Sequence, residues 1–254
     1  MRFASLGSGS RGNATLIRGD GTCLLVDCGY SVREFEARCT ELGVDPGEID
    51  AILVTHEHAD HMKGVGALAR KYRMPVWMTH GTFRNARCGD IPDLHLFGTH
   101  TPAFRIGAIR VTPYAVPHDA REPSQFTFSD GERLLGLLTD AGSITPHMIE
   151  RLHGVDALLL ECNHDPRMLR DGPYPLRLQA RVGGDYGHLS NEQAGSLLAR
   201  IDSSRLQHLV LAHLSQKNND PGLAEAAVLS ACDQVQECLS ILSQDSCSDW
   251  FRIS

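Results

Sequence analysis

Residues 51–61 read AILVTHEHADH, an apolar run followed directly by a dense group of histidine and acidic side chains. The run Ala51–Thr55 has the continuously apolar pattern of a strand that is covered on both faces. A chain that leaves such a strand in a tight loop can bring several side chains to one point. Imidazole and carboxylate groups together suit zinc, iron or manganese. The segment His56–His61 therefore predicts a metal site, with a solvated histidine-rich loop as the alternative.

Several other apolar runs also end in a histidine or an aspartate. The polar residues at these ends are Asp27, His118, Asp140 and His213. Each of them alone would more often be a satisfied polar group of the core. Their repetition at strand ends is instead typical of a site along one edge of a sheet, and it argues against the solvated loop.

Strand patterns alternate with helical patterns along the chain. Residues 14–17 and 23–27 flank Gly19-Asp20-Gly21, which predicts a β-hairpin. Helices are predicted over residues 31–42, 143–152 and 190–201, and again after Pro221. This α/β pattern predicts layers of helix around mixed sheets. We expect a single domain over residues 1–254, because no linker, short repeat or low-complexity tract divides the chain.

Composition limits the classes of protein to consider. The chain has 254 residues, of which 42% are hydrophobic, and a formal net charge of -7. Nucleic-acid binding would therefore need a local basic patch or metal contacts to phosphate rather than bulk charge. No run has the length of a signal-peptide core or a membrane span. The eight cysteines form no C-x-x-C pair, so we expect reduced thiols and a cytoplasmic location.

These motifs resemble the metallo-β-lactamase superfamily, whose mark is H-x-H-x-D-H after a strand. The resemblance covers essentially the whole chain. The chain looks most like the YycJ-type proteins of that superfamily, because of residues 7–14 (GSGSRGNA), 161–165 (ECNHD), 187–190 (GHLS) and 212–215 (AHLS). The fold that this resemblance implies is an αββα four-layer sandwich, with two mixed β-sheets flanked by helices.

The resemblance also implies a centre of two divalent metal ions. The implied ligands are His56, His58 and His118 for one ion, Asp60, His61 and His213 for the other, and Asp140 for both. Zinc is the expected metal, with manganese and iron as alternatives. Asp27 would hold a ligand histidine through its free ring nitrogen, and Glu57 should point away. His164 is a further candidate for a position behind the ligands.

Two catalytic residues are predicted. Two divalent ions roughly 3.5–4 Å apart can share a hydroxide nucleophile and polarise a phosphoryl oxygen, and Asp60 is assigned to catalysis as well as to metal binding. The leaving group then needs a proton. His188 precedes the predicted cap of the 190–201 helix and is the candidate donor. A structural histidine is the alternative reading of His188.

Small and polar residues of two loops are candidate substrate contacts. They are Ser10, Arg11 and Asn13 in the first loop, and Ser215 and Asn218 in the second. Backbone N–H groups and a guanidinium in the first loop would hold phosphate, while an ordinary glycine turn remains equally open. Residues 165–186 are expected to form an irregular, solvated flap. Its arginines and tyrosines leave open a clamp on a nucleic-acid strand.

By resemblance, the expected activity is phosphodiester hydrolysis by a 5′-to-3′ DNA exonuclease, with DNA as the partner and no membrane. The residues alone indicate only metal-assisted hydrolysis. One alternative is a phosphodiesterase that acts on small cyclic phosphodiesters. Another, from a different class, is an iron-dependent redox enzyme similar to a sulfur dioxygenase. A homodimer is also left open.

Overall fold

Two β-sheets form the centre of the molecule, whose structure is a computed structural model that describes residues 1–98 and 100–254. In chain order, the strands are β1 (Arg2–Gly7), β2 (Ala14–Gly19), β3 (Thr22–Val26), β4 (Ala51–Leu53), β5 (Val76–Thr79), β6 (Leu94–Phe97), β7 (Phe104–Ile106), β8 (Ile109–Ala115), β9 (Ser124–Ser129), β10 (Leu134–Leu138), β11 (Ala157–Glu161), β12 (His208–Ala212), β13 (Leu239–Ile241) and β14 (Phe251–Arg252). The helices are α1 (Val32–Glu41), α2 (Ala59–Met62), α3 (Val65–Tyr72), α4 (His80–Asn85), α5 (Pro146–Leu152), α6 (Pro166–Asp171), α7 (Leu176–Val182), α8 (Asn191–Leu198) and α9 (Pro221–Ala231).

Each sheet has seven strands within these residues and changes from antiparallel to parallel pairing. The first sheet has the order β14-β1-β2-β3-β4-β5-β6, and the second has the order β13-β12-β11-β10-β9-β8-β7. Pairing is parallel from β3 to β6 and from β10 to β13. The carboxyl ends of parallel strands meet at one edge of a sheet. The residues after β3, β4, β10 and β12 lie at these edges, and they include Asp27, His56, Asp140 and His213.

Alternate residues of the central strands face two different cores. In β11, Ala157 and Leu159 lie between the two sheets, whereas Leu158 and Leu160 pack beneath the helices that cover the second sheet. Every residue of β11 is buried, which explains its continuously apolar sequence. An equivalent core lies beneath α1 and α3 on the first sheet. The layers run helix, sheet, sheet, helix, so the predicted αββα sandwich is confirmed.

The predicted hairpin and the predicted cap of the 190–201 helix are confirmed. β2 and β3 pair antiparallel around Asp20 and Gly21, which both have positive φ, as a type I′ turn requires. Ser31 caps α1 and Ser190 caps α8, each in a capping box with the residue three positions later. The helix predicted after Pro221 is α9.

Two predicted helix boundaries and one stretch predicted to be irregular are wrong. The helix expected over residues 143–152 begins at Pro146, with Thr145 as its cap, because proline fits the first helical turn. The helix expected to reach Ile201 ends at Leu198. The stretch 165–186, expected to be irregular, contains α6 and α7, and the Asp165 side chain caps α6.

No helix among the described residues is long and apolar enough to cross a membrane.

Candidate metal centre

Three histidines converge at the end of β4. His56 follows β4, His58 precedes α2, and His118 follows β8. His56 Nε2 lies 3.0 Å from His58 Nδ1, and His118 Nε2 lies 3.3 Å from the same atom. The three donor atoms all lie within 4.8 Å of one another, close enough to hold one metal ion. The structure therefore brings together the first trio that the sequence predicted.

A second group lies beside the first. His61 Nε2 lies 3.5 Å from Asp60 Oδ2, and His213 Nε2 lies 3.6 Å from the same oxygen. Asp60 and His61 belong to α2, whereas His213 follows β12 and has a φ of 56°. Positive φ is uncommon for a residue other than glycine and is concentrated at functional sites. The second predicted trio is therefore also assembled, from both sheets.

Asp140 lies between the two groups. Its Oδ2 atom is 3.1 Å from His61 Nε2, and its Oδ1 atom is 4.0 Å from His118 Nε2. Asp140 also forms a group of metal-binding size with His56 and His61. Among the carboxylates predicted as ligands, it is the one that reaches both trios.

The spacing of these groups fits divalent cations. Two ligand atoms that are each about 2.1 Å from a tetrahedral zinc ion lie roughly 3.4 Å apart. The contacts from His58 to His56 and His118 measure 3.0 and 3.3 Å, and those from Asp60 to His61 and His213 measure 3.5 and 3.6 Å. Asp140 Oδ2 and His213 Nε2 are buried and form no hydrogen bond within the described residues. Two orphaned buried atoms in such a cluster point to cations as their partners.

In three of the candidate ligand histidines, the ring nitrogen that faces away from the group also has a polar partner. His61 Nδ1 lies 2.8 Å from Asp27 Oδ2, and His56 Nδ1 lies 3.0 Å from Thr55 Oγ1. His118 Nδ1 lies 2.9 Å from the carbonyl oxygen of Gly187. Such partners orient metal-binding imidazoles and fix their tautomers. Asp27 thus lies behind His61, one of the candidate ligands.

Buried charge shapes the protonation of the site. Burial alone would lower the pKa of His213, but Asp140 and Asp60 raise that pKa to about 10. Burial also opposes protonation of His61, yet Asp140 and Asp60 hold its pKa well above the usual range. Burial would raise the pKa of Asp140, whereas His213 and His61 hold it well below its ordinary value. Imidazolium protons therefore balance the carboxylates, and a bound cation would displace them.

Comparison with known proteins agrees with this geometry. The chain matches the family described as "Beta-lactamase superfamily domain" over residues 22–213. The chain belongs to the metallo-β-lactamase superfamily. It is 37% identical over 237 residues to exodeoxyribonuclease YycJ of Bacillus anthracis, covering 92% of this chain and 90% of that protein. It is 35% identical over 241 residues to exodeoxyribonuclease WalJ of Streptococcus pneumoniae serotype 2, covering 92% and 89%.

Solved structures support the same fold. The metallo-β-lactamase fold protein YhfI from Bacillus subtilis matches with a TM-score of 0.74 and 15% identity, covering 98% of this chain and 99% of that chain. At this identity the likeness concerns the fold alone. The resemblance found in the sequence to the metallo-β-lactamase superfamily is confirmed, and so is the closeness to YycJ-type proteins.

Glu161 also belongs to this site, although no role was predicted for it from the sequence. Its carboxylate is fully buried at the end of β11, with Oε1 2.7 Å from His188 Nδ1 and 3.2 Å from His213 Nδ1. The Oε2 atom accepts hydrogen bonds from the backbone N–H groups of Ala141 and Leu189, at 2.9 and 3.1 Å. The rule that drew attention to Asp27 and Asp140, an apolar strand ending in a carboxylate, would have found Glu161 too.

His188 lies against this carboxylate and lines the cavity over the two ligand groups. Burial alone would lower its pKa, but Glu161 and Asp140 raise the pKa above its ordinary value. Because Nδ1 is bonded to Glu161, Nε2 is the ring nitrogen left for a substrate. The structure thus places His188 beside the candidate ligands, as its predicted role requires.

The cavity has a volume of about 360 Å³ and receives some of the candidate substrate residues. Ser10 and Ser215 line it. Arg11 is exposed and instead pairs with Asp245. Asn218 is fully buried and donates to Ser215 Oγ at 3.4 Å. Arg11 and Asn218 are therefore not among the described residues that line the cavity.

Neither Asn13 nor His164 is among the described residues that line the cavity. Asn13 Nδ2 is 3.0 Å from His61 Nε2 and 3.4 Å from Asp60 Oδ2, while Asn13 Oδ1 accepts from the Gly9 N–H at 2.8 Å. Asn13 thus connects the first loop to the ligand segment. His164 is buried, and burial lowers its pKa to about 4. Among the described residues it belongs to none of the metal-binding groups and does not line the cavity.

A larger cavity, of about 670 Å³, lies at the opposite end of β1 to β3 and is lined by Arg2, Arg18 and Arg252 among others. None of the four groups of metal-binding side chains in residues 1–98 and 100–254 lies there. The chemistry of this superfamily protein therefore belongs to the smaller cavity.

The bond between Asp27 and His61 leads to a first prediction. Replacing Asp27 with asparagine should weaken zinc binding by about 10- to 100-fold, because the ring of His61 loses the acceptor that orients it. Competition with a chromogenic zinc chelator measures the effect. Asp50→Asn is the matched control, since Asp50 accepts from the Cys23 N–H at the other end of β3, at 2.7 Å. Equal zinc affinities in both variants would contradict the assignment of Asp27.

Proposed function

We propose that this protein is a two-metal phosphodiester hydrolase that removes nucleotides from DNA, acting as a 5′-to-3′ exodeoxyribonuclease. One observation carries the proposal: the imidazole of His188, backed by Glu161, lies at the cavity beside Asp140, the carboxylate that both ligand groups share. Identities of 37% and 35% to the exodeoxyribonucleases YycJ and WalJ, over 92% of the chain, support DNA as the substrate.

In this proposal, the residues that hold one ion are His56, His58 and His118, those that hold the other are Asp60, His61 and His213, and Asp140 holds both. Two divalent cations held there would supply a water of lowered pKa and would polarise the phosphoryl oxygen. Asp60 also lines the cavity, where its carboxylate would accept a hydrogen bond from such a water. Zinc is the proposed metal, because imidazoles dominate the ligand set.

His188 supplies the proton that the departing 3′ or 5′ oxygen needs. The Glu161 carboxylate accepts the Nδ1 proton of His188 at 2.7 Å, which directs Nε2 to the substrate. Although burial lowers the pKa of His188, Glu161 and Asp140 raise it above its ordinary value, which favours the protonated ring. Leu189 N–H holds Glu161 in turn at 3.1 Å. The chain's own residues thus keep a proton donor fixed beside the cavity.

A nuclease assay tests this function directly. Protein loaded with zinc, manganese or iron is incubated with single- and double-stranded DNA and RNA, labelled at the 5′ or the 3′ end. We expect about two bound ions per chain and release of nucleotides from the 5′ end of DNA. His61→Ala should abolish the activity, whereas His147→Ala, at a half-buried position of α5, should retain it.

Three other results would overturn the proposal in different ways. Cleavage of small cyclic phosphodiesters with DNA left intact would favour the smaller substrate class. Oxygen consumption by the iron-loaded protein without hydrolysis would indicate a redox enzyme. A properly loaded protein that retains no metal would refute the two-metal site.

We further propose that residues 1–254 act as one catalytic domain in the cytoplasm, where the free cysteines stay reduced. The homodimer remains a prediction, which analytical ultracentrifugation checks.

A further inference from the structure

The segment of residues 166–187, here named the strap, lies over one side of the metal cavity. It contains α6 and α7 and joins β11 to His188. Four strap side chains line the cavity: Tyr174, Leu178, Arg181 and Val182. Neither the proposed metal ligands nor the proposed proton donor accounts for them.

The inner face of α7 is apolar but packs into no core. α7 contains no buried residue, and Leu176 on its other side is 82% exposed. Leu178, Arg181 and Val182 are three and four positions apart, so they share one face of the helix. Within the described part of the chain, Tyr174, Leu178 and Val182 are half-buried yet belong to none of the three hydrophobic cores. Their apolar surface therefore faces the cavity.

The wall opposite the strap is polar. It presents the imidazoles of His58, His188 and His213 together with the carboxylates of Asp60 and Asp140. A ligand that satisfies both walls must carry a phosphate on one side and a flat apolar group on the other. A nucleotide has this division. The volume of about 360 Å³ lies at the lower end of small-molecule sites, which suits a single nucleotide rather than a duplex.

Contacts at both ends fix the strap over the cavity. Arg181 Nε donates to Asp119 Oδ2 at 2.5 Å, and Asp119 follows the candidate ligand His118. At the other end, Lys217 Nζ lies 5.9 Å from the centre of the Tyr174 ring, within the range of a cation–π interaction. The apolar wall is thus formed before any ligand binds, which lowers the entropic cost of binding.

We propose that Tyr174, Leu178 and Val182 form a nucleoside subsite, which packs against the base and deoxyribose of the nucleotide whose phosphodiester lies at the metal centre. The proposal rests on the proposed function in one respect, namely that phosphodiesters are hydrolysed at this centre. The subsite recognises the nucleoside that is attached to the phosphate. This recognition does not depend on whether the rest of the substrate is a DNA strand.

Two diesters with the same leaving group test the subsite. Thymidine 5′-(p-nitrophenyl phosphate) carries a nucleoside, whereas methyl p-nitrophenyl phosphate does not. We expect the zinc-loaded protein to prefer the nucleoside diester in kcat/KM, and Leu178→Ala and Tyr174→Ala to reduce that preference by about tenfold each, as for loss of one stacked base. Leu178→Met should restore the preference, because it keeps the apolar wall. Leu176→Ala, on the outer side of the same helix, is the matched control.

The outcomes separate this proposal from the nuclease function. Hydrolysis of both diesters with DNA left intact would refute the nuclease and still report on the subsite. If neither diester is hydrolysed, calorimetry with thymidine 5′-monophosphate and with inorganic phosphate provides a readout without turnover. The nucleotide should then bind about tenfold more weakly to Leu178→Ala than to the unsubstituted protein, and phosphate should bind equally to both. The subsite would be overturned if the unsubstituted protein, Leu178→Ala and Leu176→Ala all showed the same preference for the nucleoside diester. They would also have to bind thymidine 5′-monophosphate equally.

Discussion

Replacing Asp140 with asparagine should lower phosphodiester hydrolysis by three orders of magnitude or more and leave the protein with fewer than two bound ions. Asp140 Oδ2 is 3.1 Å from His61 Nε2 in one ligand group and Oδ1 is 4.0 Å from His118 Nε2 in the other, so one carboxylate reaches both groups. Loss of its charge removes attraction for both cations. Metal polarisation contributes several kcal/mol to such reactions, and each 1.36 kcal/mol is about tenfold in rate. Elemental analysis and turnover of a nitrophenyl diester measure the two effects.

A matched buried carboxylate distinguishes catalysis from folding. Asp156 is 3% exposed and Asp140 is 2% exposed, but Asp156 Oδ2 accepts from the Leu134 N–H at 2.7 Å at the opposite end of the second sheet. Asp156→Asn should lower the thermal midpoint and keep both ions and the activity of the folded protein. If Asp140→Asn kept two ions and normal turnover, the shared position of Asp140 would be wrong.

The ligand candidates could be found in the sequence because each of them is encoded locally, whereas their division between two ions came from the family resemblance. An apolar run such as Ala51–Leu53 predicts a buried strand, and the polar residue that follows it must lie at the edge of a sheet. The short run His56–His61 supplies several donors without any long-range information. The α/β fold class was predicted from the same pattern of strands and helices. The four-layer arrangement was predicted from the family resemblance.

The remaining features depend on contacts between distant parts of the chain. Glu161 and His188 are separated by 27 positions, and only the tertiary structure shows that they touch. Arg11 follows a glycine-rich loop as a phosphate ligand would, yet its guanidinium turns outward to Asp245. The direction of such a side chain depends on a residue more than 200 positions away. The cavity-lining face of α7 was likewise hidden, because the helix is short and Arg181 shares that face with Leu178 and Val182.

Replacing Glu161 with glutamine should lower kcat on DNA by about 100- to 1000-fold, a typical contribution of general acid catalysis. The carboxylate holds His188 at 2.7 Å through Nδ1, so its loss frees the ring to rotate and removes the charge that favours the protonated form. A p-nitrophenolate leaving group departs without a proton. Hydrolysis of a nitrophenyl diester should therefore fall much less than hydrolysis of DNA, and comparing the two losses tests the role of His188.

The pH profile of the same variant provides a second measure. His188 donates only when it is protonated, so activity on DNA is present below its pKa and is lost as the pH rises through that pKa. Although burial lowers the pKa of His188, Glu161 is the largest cause that raises it. Glu161→Gln should therefore move the alkaline limb of the profile to lower pH. An unchanged alkaline limb would mean that another group supplies the proton.

Two further variants decide whether Glu161 acts through His188. If it does, Glu161→Gln should add little to the loss caused by His188→Asn, since residues that act as one unit are not additive. Independent, multiplying losses would instead point to the second contact of Glu161, at 3.2 Å from His213 Nδ1, and hence to metal binding. Glu57→Gln is the control, because Glu57 accepts from the Arg121 N–H at 2.8 Å and from Asn85 at 3.1 Å, away from the ligands that surround it in sequence. Retained activity in Glu57→Gln would show that a carboxylate within the His56–His61 segment contributes to hydrolysis only if its side chain faces the cavity.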